Sequence, residues 1–184
     1  MDIYEKTVKF VDDSFKGVHK PHFERTVYWY EQFLPEYTEA HKIAAYAHDI
    51  ERAFRNKDNI FPEDYLDSEF LKHHQEEGAR LMVDFLKKQQ VLIEVIEKVS
   101  HLISKHEVGG DNEQNALMDA DSVSFFETNA ENFVTKKAPI EGKEKVKAKL
   151  DWMFDRIQST QAKKAASENY RKWIDVLMSG SLKD

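Results

Sequence analysis

Ile43-Ala44-Ala45-Tyr46-Ala47-His48-Asp49-Ile50 is the stretch that decides the fold, because it is apolar on nearly every side until His48. A helix that is hydrophobic all round is buried in the core of its protein. The stretch lies in a predicted helix that runs from Glu39 to about Arg55. We therefore expect this helix at the centre of the fold, where it carries an imidazole and a carboxylate into the interior.

Helical patterns continue on both sides of this stretch. Apolar residues recur at three- and four-residue intervals, and the 184 residues contain only six glycines and four prolines, which favours long helices over short strands. The sequence therefore predicts an all-α protein with a pair of C-terminal helices packed on the main bundle. The other predicted helices span residues 3–15, 21–34, 68–90, 91–106, 113–127, 139–157 and 165–178, and a loop spans residues 56–67.

The composition argues against several classes of protein. A formal charge of −7 disfavours a nucleic-acid partner, because duplex affinity comes mainly from Lys and Arg on phosphates. No apolar run approaches the roughly 18 residues that cross a bilayer, and residues 1–10 lack the order of an export signal. We expect a soluble, cytoplasmic protein with no membrane partner, and the sequence leaves its oligomeric state open. Since the chain has no cysteine, any metal ion must be bound by imidazole and carboxylate.

The helical phase of each histidine predicts whether it faces the core. A helical stripe collects residues at i, i+3, i+4 and i+7. His74 lies on the apolar stripe of its predicted helix, whereas His73 is rotated about 100° away from it. His106 continues the apolar stripe of the next helix, and His101 faces elsewhere. We therefore predict that His74 and His106 point inward.

Three further residues are predicted to point inward. His22 shares a helical face with apolar residues, His48 closes the central apolar run, and Asp121 follows Leu117 and Ala120 at helical spacing. One inward histidine alone is usually a hydrogen-bonded core residue. Four of them together with buried carboxylates, which are costly without a cation, favour a metal site.

The remaining histidines, His19 and His41, have no such phase, and we interpret both as surface residues.

The inward residues occur in an order that resembles the H…HD…D signature of the HD superfamily of metal-dependent phosphohydrolases: His22, then His48-Asp49, then Asp121. Their contexts are similar as well. Residues 22–25 resemble the family's His-x-x-Arg helix start, and residues 118–121 resemble its closing Ala-Asp. The resemblance implies an HD-domain-like helical bundle.

The resemblance covers about residues 18–128, and we expect a single domain over residues 1–184 with a C-terminal helical extension at about 129–184. Asp119 lies near the same turn as Asp121 and is an alternative ligand. The family's Ala-Asp pattern favours Asp121. We expect Asp119 to hydrogen-bond a neighbour or to face solvent.

The resemblance also implies a divalent metal ion as cofactor, with one or two ions of Mn, Fe, Co, Ni, Zn or Mg. Residues 74–79 are similar to a His-x-x-x-Gly-Ala stretch of many HD members, and His106 lies where such members have a further histidine. A second ion is then implied, with Asp49 bridging the two. The predicted metal ligands are His22, His48, Asp49, His74, His106 and Asp121.

Ions in such a site activate water and polarise phosphoryl oxygens. The expected function is hydrolysis of a phosphoester of a nucleotide or another small phosphorylated metabolite, with Asp49 as a catalytic ligand. Arg25 either contacts the substrate phosphate or forms a structural salt bridge. Glu51 and Lys105 either assist proton transfer and charge stabilisation or are solvated residues beside a helical stripe.

Two other functions are compatible with the same residues. The six ligands can hold two irons that activate oxygen, as in a di-iron HD-type oxygenase, although phosphohydrolases are the commoner HD members. The chain can also be a non-catalytic nucleotide-binding HD domain, against which the complete ligand set argues. The lysine-rich run at residues 136–149 is interpreted as a solvated helix face that can steer an anionic substrate.

Overall fold

A computed structural model describes residues 1–55 and 67–180. These residues form helices and turns with no β-strand among them, so the predicted all-α fold is confirmed. Within the same residues, every helix is too short or too polar to span a membrane. The predicted loop over residues 56–67 lies outside the described residues, apart from Asp67.

The helices are α1 (Ile3–Phe15), α2 (Lys20–Phe33), α3 (Glu39–Ala47), α4 (Glu51–Phe54), α5 (Ser68–Lys88), α6 (Ile93–Ile103), α7 (Asn112–Thr128), α8 (Ala130–Asn132), a π-helical turn (Phe133–Lys137), α9 (Ala138–Glu141), α10 (Lys143–Asp155) and α11 (Thr160–Ser179).

Capping side chains fix where two of these helices begin. Asp2 accepts a hydrogen bond from the backbone of Glu5 at 2.7 Å, and the Glu5 side chain accepts one from the backbone of Asp2 at 3.0 Å. Asp111 and Gln114 repeat this exchange at the start of α7. Such a box satisfies backbone N–H groups that a helix start leaves without partners. The predicted starts of α1 and α7 therefore agree with the observed ones to within one residue.

The central predicted helix is interrupted, and the interruption falls on His48 and Asp49. α3 ends at Ala47 and α4 begins at Glu51. Nδ1 of His48 lies 2.8 Å from the carbonyl oxygen of Ala45, the acceptor that a continuing helix would offer to the backbone of Asp49. The backbone tightens to i to i−3 hydrogen bonds instead, with Ile50 N 3.0 Å from Ala47 O. A side chain that takes a backbone acceptor thus ends the helix.

Two clusters of buried apolar side chains form the interior, and α7 belongs to both. The first lies among α1, α2, α3, α5, α6 and the first half of α7, and it includes Tyr30 and Ile43. The second lies among the second half of α7, α10 and α11, and it includes Leu150 and Trp173. The predicted C-terminal pair therefore packs on the main bundle. Asp121 lies in α7 between the residues of the two clusters.

His41 is buried, so its interpretation as a surface residue is wrong. Its side chain is only 2% exposed. Nδ1 accepts a hydrogen bond from the backbone N–H of Thr38 at 3.0 Å, which caps the start of α3, and Nε2 lies 3.2 Å from the Glu113 carboxylate. The helical phase missed this residue because capping, and not an apolar stripe, holds it inside.

Asp119 connects α7 to the start of α11. Its two carboxylate oxygens accept hydrogen bonds from the backbone N–H groups of Gln158, at 2.7 Å, and Ser159, at 2.8 Å. Ser159 is the cap residue of α11. Of the two expectations for Asp119, the hydrogen bond to a neighbour is confirmed.

We expect Asp119→Ala to lower the free energy of unfolding by about 2–3 kcal/mol, because two backbone donors lose a charged acceptor. Urea denaturation followed by circular dichroism measures this loss. Asp175→Ala, at an exposed position of α11, is the matched control and should change the free energy by less than about 0.5 kcal/mol. Equal losses in the two variants would contradict the role of Asp119.

Candidate metal centre

The four histidines that were predicted to point inward meet at one place. They come from α2, from α5 and from the turns that follow α3 and α6. Their rings form a chain, with centroids 5.3 Å apart for His22 and His48, 5.2 Å for His48 and His106, and 5.1 Å for His106 and His74. All four side chains are buried.

Backbone carbonyls orient two of these rings. Nδ1 of His48 lies 2.8 Å from the oxygen of Ala45, and Nδ1 of His106 lies 2.8 Å from the oxygen of Ile103. A carbonyl oxygen only accepts, so each Nδ1 donates and each neutral ring keeps its lone pair on Nε2. Both Nε2 atoms are buried without a hydrogen-bond partner among the described residues. This orientation is the one that metal-binding histidines adopt.

A serine orients His22 in the same way. The Ser124 hydroxyl donates to the carbonyl oxygen of His22 at 2.7 Å, so it accepts from His22 Nδ1 at 2.8 Å, because a hydroxyl has one hydrogen. Nε2 of His22 then faces Oδ1 of Asp121 at 3.1 Å, and the same oxygen lies 3.4 Å from Nε2 of His48. His22, His48 and Asp121 form the first ligand group.

A second ligand group lies beside the first. Nε2 of His74 is 3.2 Å from Oδ1 of Asp49 and 3.6 Å from Oε1 of Glu107, which is 3.8 Å from Nε2 of His106. The four ligand atoms of this group all lie within 4.8 Å of one another. The other oxygen of Asp49 is 4.0 Å from Nε2 of His48. Asp49 therefore lies between the two groups.

The chemistry and spacing of both groups fit a metal ion. Ion–ligand distances of about 2.0–2.2 Å put neighbouring ligand atoms roughly 3.0–3.5 Å apart. The shortest separations are 3.1 Å in the first group and 3.2 Å in the second. Imidazole lone pairs that face carboxylates at these distances need a cation or a proton between them. Each group can therefore hold a metal ion.

Arg156 joins the two groups and was missed by the sequence analysis. Its side chain is only 6% exposed, and its guanidinium donates to Oδ2 of Asp121 and to Oε2 of Glu107. Its Nε donates to the Ser122 hydroxyl at 2.8 Å. Burial raises the pKa of Asp121, but the Arg156 guanidinium outweighs burial and holds that pKa well below its usual range. Each carboxylate thus gives one oxygen to Arg156 and turns the other toward the histidines.

Glu107, the other missed residue, lies in the turn after α6. This turn contains Gly109 at φ 74°, where a Cβ atom would come within 2.3 Å of the Asn115 side chain. Burial raises the pKa of Glu107, but Arg156 and His106 lower it to about 2. The only sequence signal was an acid directly after an inward histidine, at a position beyond the predicted helix.

Glu51 lies behind the second group and orients His74. Its carboxylate is 2.7 Å from Nδ1 of His74 and accepts from Nε of Arg55 at 3.0 Å. Burial raises the pKa of Glu51, but the hydrogen bonds from His74 and Arg55 lower it to about 2. Glu51 therefore contacts the ring nitrogen that faces away from Asp49.

The other two predicted catalytic residues lie away from these groups. Arg25 donates to the Glu127 carboxylate at 2.6 and 3.0 Å and lies 4.2 Å from the centroid of the Tyr28 ring. These contacts correspond to the structural salt bridge that was one of its two predicted roles. Lys105 is exposed. Neither residue is among those that line the neighbouring cavity.

A cavity of about 140 Å³ opens beside both groups. Its lining includes ligands of both groups and the phenylalanines Phe70, Phe125 and Phe133. The lysines and arginines among the described lining residues are Arg52, Arg55, Lys137 and Lys149. Lys149 is buried, so the interpretation of the lysine-rich run as a solvated face is wrong at this position, where the helix turns one lysine toward the site.

His19 also lines this cavity and is only partly exposed. Burial lowers its pKa. The surface interpretation of His19 therefore needs correction, because its ring lies at the cavity wall and stacks edge-on against Phe15.

His74 lies between two carboxylates. Both ring nitrogens face acids, Nδ1 toward Glu51 and Nε2 toward Asp49. Burial lowers the pKa of His74, but the hydrogen bonds to Asp49 and Glu51 outweigh burial and raise it to about 9. Burial lowers the pKa of His106 to about 4. At neutral pH His74 is therefore charged and His106 is neutral.

Comparison with known proteins gives one family. Residues 9–174 match the model of a family described as "Domain of unknown function (DUF4202)". No curated protein and no solved structure matches the chain. Since the family's description gives no activity, the ligand roles and the resemblance to the HD superfamily stay predictions.

We expect Arg156→Gln to weaken the binding of Mn2+ by about 10- to 100-fold, because partners that orient metal ligands contribute that much to affinity. Isothermal titration calorimetry measures it. Arg156→Lys should recover only part of the affinity, since an ammonium does not bind two carboxylates in the planar fork of a guanidinium. Arg25→Gln, at a salt bridge outside the cavity, is the control, and unchanged binding by Arg156→Gln would contradict this role.

We also expect metal binding at the second group to release a proton from His74, because the ligand must be deprotonated. The apparent affinity should rise about tenfold per pH unit up to the pKa of about 9 and level off above it. Calorimetry in two buffers of different ionisation enthalpy counts the released protons. His73→Gln is the matched control, and an affinity independent of pH below about 9 would argue against a charged His74.

Proposed function

This protein belongs to the DUF4202 family, a domain family of unknown function, and we propose that it is a metal-dependent hydrolase of phosphate esters. The observation that carries the proposal is the cavity that combines two ligand groups with four cationic side chains. The ligand groups suit divalent ions, and the cations suit an anionic substrate. The order of the ligands also resembles the signature of the HD superfamily of phosphohydrolases.

The ligand set favours transition-metal ions. Imidazole with carboxylate binds Mn, Fe, Co, Ni and Zn, and His22, His48 and Asp121 would hold one ion while Asp49, His74, His106 and Glu107 would hold another. When bound, a divalent ion supplies Lewis acidity, which lowers the pKa of a water and polarises a phosphoryl oxygen. The anchored Nδ1 atoms keep the imidazoles in position for this chemistry.

The chain's own cations would bind and orient the phosphate. Arg52 lies at the cavity wall and donates to Oδ2 of Asp49 at 2.9 Å, so it is held beside the ligand that lies between the two groups. Arg55 is held by Glu51 in the same wall. Guanidinium groups bind phosphate oxygens with two parallel hydrogen bonds. A phosphoryl group at this wall would therefore lie against both ligand groups.

Apolar side chains complete the cavity and would exclude water from the ester. Phe70, Leu71, Phe125, Phe133 and Met153 line it beside the charged residues. Electrostatic interactions strengthen when water is displaced, because the local dielectric constant falls. These side chains also offer a surface for the organic part of a small phosphorylated metabolite.

An oxygen-activating di-iron site is the second candidate, because Asp49 lies between two histidine-rich groups. The four cations in the cavity wall favour the phosphohydrolase over it, since oxygen activation needs no anion-binding wall. A non-catalytic nucleotide-binding module is less well supported, because such a module needs no pair of adjacent metal-ligand groups.

We expect the protein to release phosphate from p-nitrophenyl phosphate or a nucleotide with at least one of Mn2+, Co2+, Ni2+, Zn2+ or Mg2+. Asp49→Ala should lower kcat/KM by about 1,000-fold or more, because it removes a ligand that faces both groups. Asp13→Ala, at an exposed residue of α1, is the control. No phosphate release with any ion would overturn the proposal, and oxygen uptake by the iron-loaded protein would replace it with the oxygenase.

A further inference from the structure

The C-terminal side of the cavity carries two lysines that the metal centre does not use. Lys149 in α10 is 8% exposed, and Lys137 ends the π-helical turn. Both line the cavity. Exposed lysines of the same run, such as Lys145, show the contrast, because they point to solvent where a charged side chain is stable at no cost.

Aromatic rings hold both ammonium groups at the wall. Nζ of Lys149 lies 4.4 Å from the centroid of Trp152 and 5.8 Å from that of Phe125, and Nζ of Lys137 lies 4.1 Å from the centroid of Phe133. Phe125 and Phe133 themselves line the cavity. A cation over a ring face is attracted to it. The lysines therefore rest beside the cavity and do not extend into solvent.

Lys149 keeps its charge at neutral pH although it is buried. Burial lowers its pKa, and Glu107 raises it, so that it remains at about 8. Arg156 and Arg52 act with burial to lower this pKa, and Asp121 acts with Glu107 to raise it. A buried cation near other cations is costly unless an anion offsets it. Glu107 and Asp121 offset part of the charge of Lys149, and an anionic ligand in the cavity would offset more of it.

The balance of charge favours a ligand with two negative charges. Among the described lining residues, once His74 has lost its proton to a metal ion, four cations face three carboxylates, Asp49, Glu107 and Asp121. Each divalent ion adds two positive charges to this near-neutral wall. A phosphate monoester is mostly a dianion at neutral pH because its second pKa is about 6, whereas a diester carries one charge per phosphate. The loaded cavity therefore attracts the monoester more strongly.

Polar donors accompany the lysines. Asn129 and Asn132 line the cavity at the start of the same segment, and the π-helical turn that follows is a rare conformation that is frequent at functional sites. Amide N–H groups can donate to phosphate oxygens. The segment from Asn129 to Lys137 thus supplies neutral and charged donors to one wall.

We propose that Lys149 and Lys137 form a phosphate subsite on the C-terminal wall, which selects phosphate monoesters over diesters. This proposal rests on the proposed phosphohydrolase function, because it names the substrate class of the same cavity. The two lysines act on the phosphate itself and leave the metal ligands unchanged. Their removal should therefore affect phosphate binding and not metal content.

The test uses the Mn2+-loaded protein with inorganic phosphate as the probe, in calorimetry. We expect Lys149→Met to raise the Kd for phosphate at least tenfold with unchanged metal content by plasma mass spectrometry. Lys149→Arg, which keeps the charge, should raise it less than about threefold. Lys145→Met, one helical turn earlier and exposed, should leave it unchanged. If Lys149→Met lowers thermal stability, Lys137→Met removes the other lysine of the subsite, and the Kd for phosphate is measured on that variant.

Turnover of paired esters separates this proposal from the function on which it rests. With p-nitrophenyl phosphate and bis(p-nitrophenyl) phosphate, Lys149→Met should lower kcat/KM for the monoester at least fivefold more than for the diester. If the wild type binds phosphate in a Lys149-dependent way but hydrolyses neither ester, the subsite stands and the hydrolase fails. If phosphate binds equally to wild type, Lys149→Met and Lys137→Met, or binds to none, the subsite is overturned.

Discussion

The structure depends on the charge balance around four buried imidazoles and three buried carboxylates. Lone pairs of His48 and His106 have no hydrogen-bond partner among the described residues, and Oδ1 of Asp121 faces two imidazole nitrogens. Leaving a buried carboxylate without a cationic partner costs about 3–5 kcal/mol. Arg156 supplies part of the positive charge that these carboxylates need, and the protonated His74 supplies another part. The remaining unpaired lone pairs are what a metal ion would satisfy.

The hydrogen bonds that orient His48 and His106 also affect where helices α3 and α6 end. The carbonyl oxygen that anchors each ring is taken from the last turn of a helix, Ala45 for His48 and Ile103 for His106. That oxygen no longer serves the i+4 backbone donor, and α3 ends one residue before His48 while α6 ends three residues before His106. The ends of α3 and α6 are therefore part of the site. From the turns at these points the Nε2 atoms face carboxylates, that of His48 facing Asp121 at 3.4 Å and that of His106 facing Glu107 at 3.8 Å.

The sequence was sufficient to predict those features that depend on the periodicity of a single helix. Helical phase identified His22, His74 and His106 as inward, and the apolar run of α3 identified the buried centre, because both follow from a 3.6-residue period along one element. The same argument failed where a helix ends or where another element reaches in. Glu107 lies beyond the end of α6, where the period no longer applies, and the predicted continuous helix through His48 ignored the competition of a side chain for its backbone.

Arg156 and Lys149 show why the rest could not be predicted. Long basic side chains can bury their aliphatic stems while the charged group reaches water or an acidic partner. The sequence of a lysine-rich run therefore does not tell whether one of its lysines faces solvent or a cavity. Only the packing of α10 against α7 brings Arg156 to Asp121. The part that resembles the HD signature ends at about residue 128, but the family match continues to residue 174. A chain cut at that earlier point would lack the guanidinium that holds Asp121 and Glu107, so the C-terminal helices belong to the site and are not an appendage to it.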